Sequence, residues 1–310
     1  MALRSNKRLI LIADESTYGT DATPAGTDAL LVRNLEITPL QSDVVSRELI
    51  RPDLGNYEQL LANQRVEITF DVELAGSGTA GTAPKWSAAM TSCGMSETIV
   101  ASTSVTYAPV SSSFDSCSIY FNNDGVRHRI TGCRGSFSLS CEVGQIPTIT
   151  FTMMGIYNAP TDTALPTATY TNQADPVVFK QGNTSGFQLF SYAGILQSVN
   201  YDQANAMVYR ELVGGSKEVL ITNRTPSGTA VVEAVALATH DFFTDATNAS
   251  TGNLTFQHGQ TAGNIVTFTA GQVDLGSPTY SDQDGIQMLN LPYVATPTTL
   301  GNDEVSIALT

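Results

Sequence analysis

At 310 residues, with 14% of them charged and a formal net charge of −14 at pH 7, the chain has the length of about two domains. That charge argues against a nucleic-acid-binding role, which needs Lys and Arg clustered against phosphate, although DNA can pass such a surface without adhering. The imbalance is uneven: residues 1–160 sum to −5 and residues 161–310 to −9.

In chain order, Arg4, Lys7 and Arg8 precede Leu9-Ile10-Leu11-Ile12, an apolar run closed by Asp14 and Glu15. It is too short for a signal-peptide core or a membrane span, so folding in the cytoplasm is expected. Residues 13–29 are rich in Thr, Gly, Asp and Pro, and residues 1–29 read as an N-terminal arm that can reach a neighbouring molecule. Strands are predicted at 30–38 and 44–50, the second running into the turn-like Arg51-Pro52-Asp53-Leu54-Gly55. The cleanest strand is 64–74: Val66, Ile68, Phe70, Val72 and Leu74 alternate with Arg65, Glu67, Thr69, Asp71 and Glu73. That period of two is what a sheet with one buried face requires. After the Gly-rich loop 75–82, Pro84 opens a short helix carrying Trp86, Ala89 and Met90, and Gly94 stops it. Strands follow at 104–110, 116–122, 126–131, 135–141 and 147–155, with Asn123-Asp124-Gly125 as a tight hairpin turn.

The same order returns with weaker signals. Residues 187–199, 207–212 and 228–237, the last containing Glu233, read as strands, and a helix is predicted at 240–246 with Thr239 as its cap. Strands then follow at 253–257, 264–268, 286–291 and 304–309. The chain is thus expected to hold an arm (1–29), a first mainly-β unit (30–157), a Pro-containing linker (158–183) and a second unit (184–310).

Chemistry-bearing constellations are sparse. Cys93, Cys117, Cys133 and Cys141 lack metal-ligand spacing and read as buried thiols, and His128, His240 and His258 fall at no ligand spacing. Gly76-x-Gly78-x-x-Gly81 matches a dinucleotide fingerprint in spacing only, since no long helix follows it. Asp282-x-Asp284-Gly285 reads as a turn, because no acidic group completes a calcium loop. No catalytic residues, metal site or cofactor are expected.

Two echoes organise the sequence. Ser46-Arg47-Glu48-Leu49 returns as Tyr209-Arg210-Glu211-Leu212, and Tyr120-x-x-x-Asp124-Gly125-Val126 returns as Tyr280-x-x-x-Asp284-Gly285-Ile286. Units of this size fit a domain duplication and are too long for a solenoid repeat. Long strands with few Lys or Pro guards also leave edges that neighbouring subunits must cover.

Leu49-Ile50-Arg51-Pro52-Asp53-Leu54-Gly55, the segment from Phe70-Asp71-Val72 through Gly76-Ser77-Gly78 to Pro84-Lys85-Trp86, Asp124-Gly125-Val126-Arg127-His128 and Gly144-Gln145-Ile146-Pro147 give the chain a familiar look. Over about residues 30–157 it resembles the tail tube proteins of bacteriophages with long non-contractile tails. The resemblance implies a mainly-β fold of sandwich and barrel type, whose hairpins join those of neighbours into a continuous inner β-barrel. It also implies a structural, non-enzymatic virion protein whose rings stack into the tube that conducts DNA at genome ejection. Its partners would be its own copies, a tape measure protein, a tail terminator and a distal tail protein, with DNA passing unbound and no membrane contact.

Two units per chain would make a trimer a pseudo-hexameric ring. The alternatives are a hexamer whose second half is an immunoglobulin-like outer decoration, or a carbohydrate-binding β-sandwich. By position, 64–74, 228–237 and the hairpins 116–131 and 264–291 are expected to build the barrel. Glu67, Thr69, Asp71, Glu73 and Glu233 would face the lumen or lie on a polar strand face, and Arg47, Glu48, Arg51, Asp53, Arg210, Glu211, Lys217 and Arg224 would lie at subunit or ring contacts.

Overall fold

The computed structural model describes residues 2–298 and 300–310; residue 1 of the expected arm and residue 299 of the second unit lie outside the described residues. The first half contains β1 (Arg8–Asp14), β2 (Ala29–Leu30), β3 (Arg33–Ser46), β4 (Gln59–Glu73), α1 (Ser87–Ser92), β5 (Met95–Val100), β6 (Ser104–Pro109), β7 (Cys117–Asn123), β8 (Val126–Glu142), β9 (Thr148–Tyr157) and β10 (Thr161–Asp162). The second contains β11 (Thr184–Leu189), β12 (Leu196–Asp202), β13 (Asn205–Leu212), β14 (Ser216–Arg224), β15 (Ser227–Glu233), α2 (Phe242–Thr247), β16 (Thr251–His258), β17 (Val266–Leu275), β18 (Thr279–Gln283), β19 (Ile286–Ala295) and β20 (Ser306–Leu309). The fold is mainly β, with two short helices and one turn of 3-10 helix among the described residues.

Alternation on β4 fixes the main sheet. Val66, Ile68, Phe70 and Val72 are buried while their odd-numbered neighbours are not, so one face is committed to the core. Antiparallel ladders extend this strand into the order β3-β4-β9-β8-β12-β15-β19-β18. A second antiparallel sheet, β5-β6-β20-β17-β16-β11, joins the main one where β17 also pairs with β19. Both sheets contain strands from both halves. The long β8 serves two neighbourhoods: its start pairs with β7, which pairs with β1, and its end pairs with β12. A register shift between Thr131 and Arg134 separates the two segments, as a bulge does when a strand changes partner.

One hydrophobic cluster fills the space between the sheets and draws on both halves. An aromatic chain threads it. Ring centroids are 5.6 Å apart for Phe70–Phe151, 6.5 Å for Phe137–Phe151, 5.9 Å for Phe137–Tyr201, 5.3 Å for Tyr201–Phe268 and 5.4 Å for Phe256–Phe268. Such pairs contribute about 0.5–1.5 kcal/mol each beyond the area they bury. The four cysteines are unpaired and buried in this core, and burial pushes the thiols of Cys93, Cys133 and Cys141 upward.

Several elements depart from expectation. The run Leu9–Ile12 is a buried strand between β2 and β7 rather than part of an arm, because four consecutive apolar residues suit a strand covered on both faces. Residues 187–199 form two strands, with Phe190 and Ser191 at positive φ between them. Helix α2 is capped by Asp241 rather than Thr239: its carboxylate accepts from the amides of Phe243 and Thr244, each at 3.1 Å. The Gly-rich loop has a steric reason. A Cβ on Gly76 would lie 2.1 Å from the carbonyl oxygen of Gly263, and Gly78 N–H donates to that oxygen at 3.0 Å, so loops from the two halves cross backbone to backbone.

Phe151 packs between two tilted aromatic neighbours and is fully buried. Phe151→Ala is expected to cost about 3–5 kcal/mol, read as a lower urea midpoint at unchanged slope.

Candidate assembly surfaces

The face of the main sheet opposite the core is lined with small polar groups set in register across both halves. One rung runs Asp71, Thr150, Ser138, Asp202, Ser227; the next runs Glu73, Thr148, Ser140, Asn200, Thr229. Glu67 and Thr69 continue this face on β4, and Glu233 carries it on β15. Asp71 is held by Thr150 Oγ1 and Asn34 Nδ2, each donating at 2.7 Å. The basic groups near the β4 carboxylates are matched by acids: Arg65 lies 3.6 Å from Glu67 and 3.5 Å from Asp43, and Arg33 lies 3.7 Å from Glu73. The five residues expected on a polar strand face therefore share one.

The assignments near the turns divide. Strands β3 and β4 run on past the sheet as a two-stranded arm, and Arg47, Glu48, Arg51 and Asp53 sit at its end. Arg47 pairs with Glu58 at 3.3 Å, while Arg51 pairs with Asp53 at 3.4 Å and covers the ring of Tyr57 at 4.4 Å. Between these charges Ile50 and Leu54 stand fully exposed, at 104% and 102%. Strands β13 and β14 make a corresponding arm, with Arg210, Glu211 and Lys217 near its end and Val213 exposed at its tip. Arg224 lies elsewhere. It donates to Glu304 Oε1 (2.8 Å from Nη2), the Val110 carbonyl (2.6 Å) and Asn302 Oδ1 (2.7 Å), clamping β14 to the loops beside it. Sequence reasoning passed over Ile50, Leu54 and Val213; the available signal was an aliphatic residue inside a polar turn.

The expected barrel hairpins also divide. Segment 116–131 lies mostly beside the main sheet, because β7 pairs with β1 and β8 joins β9 only from Ile130 onward. Of 264–291, it is β18 and the start of β19 that extend the sheet edge. Among the described residues the sheet ends at β3 on one side and β18 on the other, strands that each pair with one neighbour. Unpaired edges of this kind are templates for another chain.

The remaining polar groups are structural. His258 is buried between Thr184 Oγ1 at 3.0 Å and the Val177 carbonyl at 3.1 Å, and burial lowers its pKa. Asp282-x-Asp284-Gly285 is a hairpin turn, with Asp284 and Gly285 at φ +54° and +85°. Among the described residues no His, Cys, Asp and Glu side chains cluster as a metal site, and no helix is long and apolar enough to cross a membrane.

The geometry is that of a building block: a two-faced sheet with open edges, protruding arms and a polar, mainly acidic face. Comparison with curated proteins gives no match. Comparison with protein families gives one match, described as phage tail tube protein, over residues 5–297. Spanning nearly the whole chain and every strand but β20, this match shows that the protein belongs to the phage tail tube protein family.

Proposed function

We propose that this protein is the major tail tube subunit of a phage with a long non-contractile tail, that three copies close into a pseudo-hexameric ring, and that stacked rings conduct DNA at ejection. The observation that carries the reading is the main sheet itself. Its strands fall into two blocks, β3-β4-β9-β8 and β12-β15-β19-β18, with the same order and pairing sense. Each chain therefore offers two wall segments, which supports tandem duplication of one tube unit. The hydrogen-bonded ladder between β8 and β12 favours a wall role for the second half over an outer decoration.

The polar face is proposed as the lumen wall. Its Asp, Glu, Ser, Thr and Asn rungs repel or ignore phosphate, so DNA gains no counterion-release affinity from ring to ring. The arms are proposed to reach the adjacent ring, where Ile50, Leu54 and Val213 lose their exposure. A tape measure protein, tail terminator and distal tail protein are the expected further partners, with assembly in the host cytoplasm.

Electron microscopy of the assembled protein tests the stoichiometry. Three chains around a six-fold-looking lumen are expected; six chains with outer knobs would reject the trimer. Deleting residues 51–56 is expected to abolish stacking while thermal unfolding of the subunit stays unchanged, and intact tubes from that variant would reject the arm assignment. Replacing Ser138 and Thr150 by Lys is expected to make tubes retain DNA at low salt and release it at high salt; unchanged retention would place this face away from the lumen.

A further inference from the structure

The two blocks match in register as well as order. On the first, Ile37 faces Ile68, Ile68 faces Met153, and Ile149 faces Leu139. On the second, Tyr201 faces Gly228, Gly228 faces Tyr293, and Leu289 faces Tyr280. Superposing the ladders places Ile37 on Tyr201, Phe70 on Ala230, Phe151 on Leu291 and Leu139 on Tyr280. The sequence echo at Tyr120 and Tyr280 marks two similar turns at different positions in this register.

The blocks meet inside the chain at the β8–β12 ladder, where Leu139 faces Tyr201, Ser138 faces Asp202 and Ser140 faces Asn200. The strands equivalent to β8 and β12 at the outer ends of the sheet are β18 and β3, the two open edges. We infer that β18 of one copy pairs antiparallel with β3 of the next in the register of that internal ladder, with Tyr280 facing Ile37, Thr279 facing Thr38 and Ser281 facing Glu36. The junction between halves and the junction between chains are then one interface used twice, and the sheet continues around the ring without an edge.

The residues suit the pairing. Tyr280 is 57% exposed and leans on Phe243 of α2, at 5.7 Å between ring centroids, on the face where Leu139 is buried in the first block. Ile37 is half-buried on the same face of β3. An aromatic opposite a β-branched side chain is a favourable cross-strand pair.

The arms give an independent reason. The β13–β14 arm already lies on the first half of its own chain: Tyr209 Oη donates to the Gln64 carbonyl at 2.9 Å, Arg134 donates to the Val219 carbonyl at 2.9 Å, and Val219 is fully buried. Along the matching β3–β4 arm, by contrast, Val44, Val45, Leu60 and Leu61 are exposed. The same operation that joins β18 to β3 lays this arm across the second half of the neighbour.

The test is cysteine cross-linking in assembled protein, since this rests on the ring-forming reading above. Glu36 and Ser281 sit at opposite ends of an eight-strand sheet, on the order of 30 Å apart at strand spacing, so a disulfide between them joins two chains. The native thiols are buried and do not compete. Oxidising the double variants E36C/S281C and T38C/T279C is expected to convert most of the protein into linked dimers and trimers, with the ladder stopping at three chains. The out-of-register pair E36C/Q283C is expected to link at least tenfold less. Microscopy of the same samples separates the failures. Rings in which neither in-register pair links, or in which E36C/Q283C links best, would overturn the strand register. A ladder continuing to six chains would overturn closure by three, and absence of rings from the unmodified protein would remove the ring reading itself.

Discussion

The structure depends on one antiparallel ladder, between the end of β8 and β12. Without it the main sheet would split into two four-stranded blocks, each with a raw edge in the middle of the molecule. With it, backbone groups of both halves are satisfied in a single sheet, and Phe137 and Tyr201 are carried into contact across the junction. This is possible because β7 pairs with β8 only as far as Cys117 opposite Cys133, leaving the same edge of β8 free for β12 from Ser138 onward. A strand that changes partner midway lets a local hairpin and a long-range sheet share one segment.

Around that ladder, packing and loop crossing reinforce the same arrangement. Strand β20, the last in the chain, pairs with β6 of the first half as well as β17 of the second, so the C-terminus closes the second sheet across the same boundary. The Gly76–Gly263 crossing requires two loops with no side chain in the way. Arg224 draws together Val110, Asn302 and Glu304. Burying a guanidinium and a carboxylate is costly unless each is well paired, so this clamp contributes registration of β14 more than stability.

Membership in the tail tube family gives these features a common purpose. A subunit that assembles with its own copies must be rigid in its core yet incomplete at its edges. The shared core provides rigidity, β3 and β18 leave open edges, and the rungs of Asp, Ser, Thr and Asn gather on one polar face of the main sheet.

Much of this was legible in the sequence. The alternation of 64–74 determined a strand with one wet face, and with it the common placement of Glu67, Thr69, Asp71 and Glu73. Asp-Gly at 124–125 and 284–285 determined two tight turns, because a two-residue hairpin needs positive φ. Scarcity of Lys and the acidic balance were visible in the composition alone. Other features were not legible, because they depend on residues far apart in the chain. Leu9–Ile12 is a core strand only because β7 and β2 flank it, and Arg224 turns inward only because Glu304 waits 80 residues away. The partner change in β8, the matching registers of the two blocks and the identity of the open edges are likewise tertiary. Local pattern fixes which face of a strand is buried, but hydrogen-bond pairing between distant segments decides which strand lies beside it and which is left without a neighbour.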